Sequence, residues 1–161
     1  MESDPPVKVV DGIFIGSINT VSSQGMRHID AIINLSGTFY KTEKALINIM
    51  MDDAVVNLDN LDLYMKKFSI GVAAIETARK EGKNILIHCA AGINRSATLI
   101  AFYLIEQGMA LDDIIDALAV ANKKRGVELL TNPTFRSILK TYYILQKNMK
   151  NRIAAFKKLS E

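Results

Sequence analysis

The chain has 161 residues, 49% apolar and 23% charged, which is enough for one globular domain with a substantial core and excludes a low-complexity or disordered chain. Its net charge of +3 is too slight to point to nucleic acid, although it suits an anionic substrate. A single cysteine excludes an internal disulfide and a multi-thiolate zinc site, so a reducing, intracellular and cytoplasmic setting is expected.

The opening MESDPPVKVV has no apolar signal-peptide core, and residues 1–6 read as a loose, flexible tail. VKVVDGIFIGS (7–17) reads as two short strands about a turn at Asp11-Gly12. HIDAIINLS (28–36) reads as a buried strand, and ALINIMMDD (45–53) as another that ends at two aspartates. Leu61, Tyr64, Met65, Phe68, Val72 and Ile75 share one helical face, which stops near Gly82. NILIHC (84–89) is a short, wholly apolar strand of the kind buried on both faces. RSATLIAFYLIEQG (95–108) is predicted helical, with Gly108 as its stop. Another helix follows from Leu111 to Ala121 and ends in Lys123, Lys124 and Arg125, a solvated cationic end that the helix dipole favours. In TNPTF (131–135), Asn132 caps a last helix with Pro133 in its first turn. An apolar stripe of Leu145, Met149, Ile153, Phe156 and Leu159 extends that helix almost to the end. No apolar run is long enough to span a bilayer. Strands alternating with helices predict one α/β domain, a small central mixed sheet covered by helices.

The chemistry concentrates in HCAAGINRS (88–96), which joins a buried strand to a helix. A helix start leaves backbone N–H groups unpaired and adds partial positive charge, so it binds anions. Small residues and Gly92 let the loop curl its amides inward as an anion nest. Arg95 adds a planar, two-pronged donor for phosphate oxygens. The Gly-Lys-Ser ending of a nucleotide P-loop is missing, which rules out that reading. Cys89 sits where these dipoles converge, and a thiol so placed is driven toward thiolate. His88 is positioned to order the loop, and Ser96 to donate to the sulfur. A thiolate below a bound phosphate is set for in-line attack and a phosphocysteine intermediate. Such a reaction needs a carboxyl for the leaving group, and spacing alone leaves Asp52, Asp53, Asp59 and Asp62 open. Taken singly, Cys89 reads as a core residue and Arg95 as a surface charge. Their spacing across a small-residue loop makes the catalytic reading the stronger one.

These residues resemble the cysteine-dependent phosphatases with His-Cys, five residues, then Arg-Ser or Arg-Thr. HCAAGINRSATLIAFYLI is most similar to the dual-specificity protein phosphatases, and in particular to their poxvirus VH1-like members. VDGIFIGS, IDAIINLS, INIMMDD and TNPTF resemble further parts of that fold, over roughly residues 7 to 145. The resemblance implies the cysteine-phosphatase fold and a catalytic domain at 7–146, and the residues beyond it, 147–161, read from their own pattern as a basic amphipathic helical extension. It implies Cys89 as nucleophile, Arg95 as binder of phosphate and transition state, and the amides of Ala90, Ala91, Gly92, Ile93 and Asn94 as the phosphate cradle. Ser96 is implied to assist breakdown of the phosphoenzyme, with His88 and Asn132 in support. The family's strand-ending acid, laid on IMMDD, selects Asp53, with Asp52 second. The stretch from Asp53 to Cys89 is longer than the family pattern, as if VVNLD were inserted, so Asp59 and Asp62 stay open.

A phosphoprotein carrying phosphotyrosine and phosphoserine or phosphothreonine is the expected substrate, with no cofactor and no metal. Phosphoinositides or an RNA 5′-triphosphate are the alternative, but residues 90–94 are uncharged and Ser follows Arg95. A non-catalytic phosphate-binding module is a third reading. No nucleic-acid or membrane partner is expected: the stripe of the C-terminal helix reads as packing on the parent domain or on a second copy, which makes it the candidate surface for a homodimer, with a membrane surface or a partner's groove as the lesser alternatives. The VH1-like resemblance also raises a virus-encoded origin.

Overall fold

The computed structural model describes residues 4–160. Five short strands form one mixed sheet in the order β1-β2-β5-β3-β4. β1 (Val7–Val10) and β2 (Ile13–Gly16) pair antiparallel about Asp11-Gly12, and Gly12 takes the positive φ of 79° that the tight turn requires. β2, β5 (Ile85–His88), β3 (Ala31–Asn34) and β4 (Ala45–Asn48) run parallel.

The β5 side chains alternate between two cores. Ile85 and Ile87 join the main cluster, while Leu86 faces a smaller one with Met26, Ile29 and Ile32. Two 3₁₀ helices, Ile18–Ser22 and Gln24–His28, cover that smaller side. Four α-helices cover the other: α1 (Leu61–Lys80), α2 (Arg95–Glu106), α3 (Leu111–Arg125) and α4 (Pro133–Leu159). α2 is the central helix, with every residue from Ser96 to Ile105 buried, so its apolar run reads as core on all sides. Asn132 caps α4 as expected, its side chain accepting from the Thr134 and Phe135 amides.

The expectation at 45–53 needs correction. β4 stops at Asn48 and is an edge strand with three of its four residues exposed. Ile49 and Met51 remain buried, but in a loop, so apolar content there signals packing and not strand. Of the expected loose tail, residues 1–3 lie outside the described residues, whereas Asp4 is tied to Arg125 by two hydrogen bonds. α4 runs as one helix of 27 residues, roughly 40 Å long.

Candidate active site

β5 lies between β2 and β3, so the chain leaves its C-terminal end at a switch point of the parallel sheet, the usual place for a ligand in such folds. The loop 89–94 turns there into α2. Each loop carbonyl is drawn away from the centre by a donor behind it. Ala90 O accepts from the Ile18 amide (3.2 Å), Ala91 O from Arg125 Nη2 (2.9 Å), and Gly92 O from Arg125 Nη1 and Asn122 Nδ2. Ile93 O accepts from the Leu130 amide, and Asn94 O from Thr98. A planar trans peptide points its N–H opposite to its carbonyl, so the amides of residues 91–95 face inward. Gly92 N confirms the sense by donating to Cys89 Sγ at 3.2 Å. Gly92 has φ 72°, and a Cβ there would collide with Arg125 and with the Gly16 carbonyl, so no other residue fits.

Cys89 is 2% exposed, and its sulfur lies 3.3 Å from Ser96 Oγ. Burial pushes its thiol up, the largest single influence. The Ser96 hydroxyl and amide, the Arg95 charge and the Gly92 amide outweigh that together and hold it below its ordinary value. Alkylation by iodoacetate is therefore expected to follow a midpoint below that of a free thiol. Ser96→Ala removes a donor to the sulfur, and its midpoint is expected to move up; an unmoved midpoint would show that Ser96 does not tune the thiol.

Arg95 Nη1 donates to the carbonyls of Leu35 (3.0 Å) and Met51 (2.7 Å), which fix the guanidinium plane. Its Nε is buried with no protein partner, a donor left for a ligand. The four aspartates separate clearly. Asp53 joins the loop: Asn94 Nδ2 donates to its Oδ2 (2.7 Å) and Asn132 Nδ2 to its Oδ1 (2.9 Å). Asn94 Oδ1 also accepts from the Asn132 amide, which closes the cluster. Asp52 adjoins it and is exposed, its backbone carbonyl accepting from Tyr64. Asp59 lies in an exposed turn and Asp62 in the first turn of α1.

Two supporting groups, Tyr40 and Leu130, escape sequence reasoning, and a third, Arg125, is misplaced by it. The Tyr40 hydroxyl lies 2.7 Å from His88 Nε2, and His88 Nδ1 lies 3.2 Å from the Cys89 carbonyl. Burial holds His88 below its ordinary value and pushes Tyr40 up to about 12. Leu130, whose amide holds Ile93 O, is the one non-glycine residue with positive φ (51°) among the described residues, a strained position beside the site.

Arg125, read as part of a solvated cationic helix end, is instead buried: its side chain is 1% exposed and that of Asp4 25%. It donates to Asp4, Ala91, Gly92 and Asn122 and so braces the loop from behind. It is the last residue of α3, directly before Gly126, the left-handed C-cap. Arg125→Leu is expected to cost about 3 kcal/mol in urea unfolding at neutral pH, since the loop carbonyls lose a buried donor and the half-buried Asp4 its partner. Burial pushes the Asp4 carboxyl up, but hydrogen bonds from Arg125 and Ser17 and the Arg125 charge hold it lower overall. A depressed carboxyl stabilises the fold above its unfolded value and ceases to as pH falls through the folded one. The gap between parent and variant is thus expected to narrow in acid; a constant gap would remove the ion pair from the account.

Residues 13–144 match the model of the dual specificity phosphatase catalytic domain. The chain is 23% identical over 149 residues to the dual specificity protein phosphatase OPG106 of vaccinia virus, covering 88% of this chain and 84% of that protein. It is 26% identical over 163 residues to protein phosphatase Slingshot of Drosophila melanogaster, covering 94% of this chain but spanning only 14% of Slingshot. The crystal structure of human DUSP28 shares its fold, with a TM-score of 0.74, 23% identity and coverage of 89% and 95% of the two chains. Among the described residues, no helix is long and apolar enough to cross a membrane.

Proposed function

The chain belongs to the dual-specificity phosphatase family, and on that premise we propose that it is a protein phosphatase acting on phosphotyrosine and phosphoserine or phosphothreonine. One observation carries this reading: a buried thiol held toward thiolate beneath inward-facing amides, beside an arginine whose Nε has no protein partner. The catalytic unit is residues 7–146, with 147–161 as an extension.

In this reading the phosphate oxygens sit on the inward-facing amides of residues 91–95 and on the Arg95 guanidinium. The Cys89 thiolate attacks phosphorus in line as the P–O bond to the side chain breaks, forming an S–P bond. The departing oxygen keeps the electron pair and takes a proton from Asp53. Water then attacks phosphorus and gives its proton to the Asp53 carboxylate, while the S–P bond breaks and returns the thiolate. Ser96 Oγ, 3.3 Å from the sulfur, stabilises the leaving thiolate in this second step. Amides and Arg95 are strongest where charge builds on the equatorial oxygens, so they lower the barrier and not only KM. His88 orders the loop through the Cys89 carbonyl, and Asn132 holds Asp53 to it.

Asp53 is favoured over Asp52, Asp59 and Asp62 because its carboxyl alone among them is bonded to the loop residue Asn94. The two amide donors occupy one lone pair on each Asp53 oxygen, which fixes the carboxyl plane and leaves the other lone pairs free to carry the proton. On an alkyl phosphate, a poor leaving group, Asp53→Asn is expected to lower kcat roughly 10²-fold or more, and Asp52→Asn only slightly. On p-nitrophenyl phosphate the Asp53→Asn loss is expected to shrink. A larger loss for Asp52→Asn on the alkyl substrate would transfer the role to Asp52. Turnover of the aryl phosphate also separates this reading from a module that binds phosphate without cleaving it.

A further inference from the structure

α4 divides into two parts. Its first half is anchored, with Phe135 and Leu139 in the core and Asn132 bonded to Asp53. From residue 147 to 160 every residue is exposed. On this free half Leu145, Met149, Ile153, Phe156 and Leu159 recur at three- and four-residue steps and form one stripe. All five are exposed, Phe156 at 71% and Leu159 at 87%. Lys147 and Lys150 lie on the opposite side of the helix, beside Gly108 and Met109 of the body, so the stripe faces outward. The parent domain does not cover it.

Charge decides between the remaining occupants. Residues 144–160 carry Lys147, Lys150, Arg152, Lys157 and Lys158 and no acidic residue. A second copy would bring five more cations against these five. Arg152 sharpens the point, because it lies three residues after Met149 and four before Phe156, inside the apolar stripe. In a self-paired helix it would be a buried charge without a partner, which is strongly unfavourable. At a lipid surface its long stem lies along the acyl boundary while the guanidinium rises to the headgroup phosphates. The surrounding lysines fall within a Debye length of an anionic leaflet and add attraction.

We infer that residues 145–159 form an interfacial helix that lies on an anionic membrane surface, with the stripe in the headgroup–acyl boundary and the cations among anionic headgroups. The homodimer expected of this helix is then the competing occupant. The same orientation acts on catalysis. Leu145 and Leu58 line one apolar groove of about 450 Å³, and Leu58 is 92% exposed in the segment 54–60 that follows Asp53. Since α4 is one helix capped at the catalytic loop, a bound C-terminal half fixes how the site faces the surface and confines it to phosphoproteins held there.

Flotation of the full-length protein with phosphatidylcholine vesicles, with and without phosphatidylserine, tests this. Binding is expected only with phosphatidylserine and is expected to fall in high salt. Arg152→Gln with Lys157→Gln is expected to weaken it more than about tenfold. Phe156→Glu, at an exposed position, is expected to abolish it while leaving aryl phosphate turnover unchanged, which separates this inference from the catalytic reading. Equal binding to neutral vesicles overturns it, as does an absence of binding. An absence of binding together with a sedimenting mass of two chains assigns the stripe to a second copy.

Discussion

Cys89→Ser is expected to fold, to bind phosphate and to lose turnover by roughly 10⁵-fold or more, the scale seen when a nucleophile is removed from a preorganised site. The loss is that large because nothing else near the loop can attack phosphorus. The donors around the sulfur, Gly92 N at 3.2 Å and Ser96 Oγ at 3.3 Å, favour the thiolate and hold Cys89 below the ordinary value of a thiol. A serine hydroxyl in the same place stays protonated, since the same donors are far too weak to ionise an alcohol. The binding apparatus survives the change, because the loop carbonyls are held from behind by Ile18, Arg125, Asn122 and Leu130. The discriminating result is therefore a split: phosphate affinity kept by calorimetry, with kcat lost. Residual turnover within about tenfold of the parent would mean that water attacks directly and the thiol is a core residue.

Arg95→Met is expected to lower kcat/KM roughly 10³- to 10⁴-fold, through both a lower kcat and a higher KM. Arg95 spends Nη1 on the Leu35 and Met51 carbonyls, and this fixes the plane in which its remaining N–H groups meet the phosphate. Arg95→Lys is expected to recover only a small part. An ammonium lacks the planar fork and cannot hold two backbone carbonyls on one side and two phosphate oxygens on the other. If lysine restores most of the rate, the arginine acts as a point charge, and the orientation imposed by Leu35 and Met51 is irrelevant. The two variants also differ at the thiol. Losing the Arg95 charge removes one influence that holds Cys89 low, so the alkylation midpoint of Arg95→Met is expected to move up.

The parts of the site that lie within a few residues of one another were legible in the sequence. Cys89, Gly92, Arg95 and Ser96 occupy one strand–loop–helix step, and the place of each on that step is a local property of the sequence. The helices were legible for a related reason: the periodicity from Leu61 to Ile75 and the Asn132-Pro133 start are local signals. What sequence alone left open is held together across the fold. Asp53 meets Asn94 across 41 residues and Asn132 across 79, and no spacing rule reports such a contact. Tyr40 reaches His88 across 48 residues, from a segment with no periodic pattern of its own. Arg125 misled for a physical reason, since a cation at a helix end looks solvated until the loop carbonyls and the carboxylate of Asp4, 121 residues away, are known to face it. The stretch 45–53 misled in the opposite sense: Ile49 and Met51 are buried although the chain there has left the sheet. The extension was legible as an amphipathic helix, but only the exposure of residues 147–160 showed that its stripe does not pack on the domain.

The central claim is that phosphate passes through a bond to Cys89. Rapid acid quench of the enzyme during turnover of a radiolabelled phosphotyrosine peptide tests it most directly. The Ser96→Ala variant is the better subject, because slower breakdown lets the intermediate accumulate. The account predicts label bound to protein in approach to one equivalent, mapped by mass spectrometry to Cys89 and missing in Cys89→Ser. Undiminished turnover with no label on the protein, or label on any other residue, would contradict it.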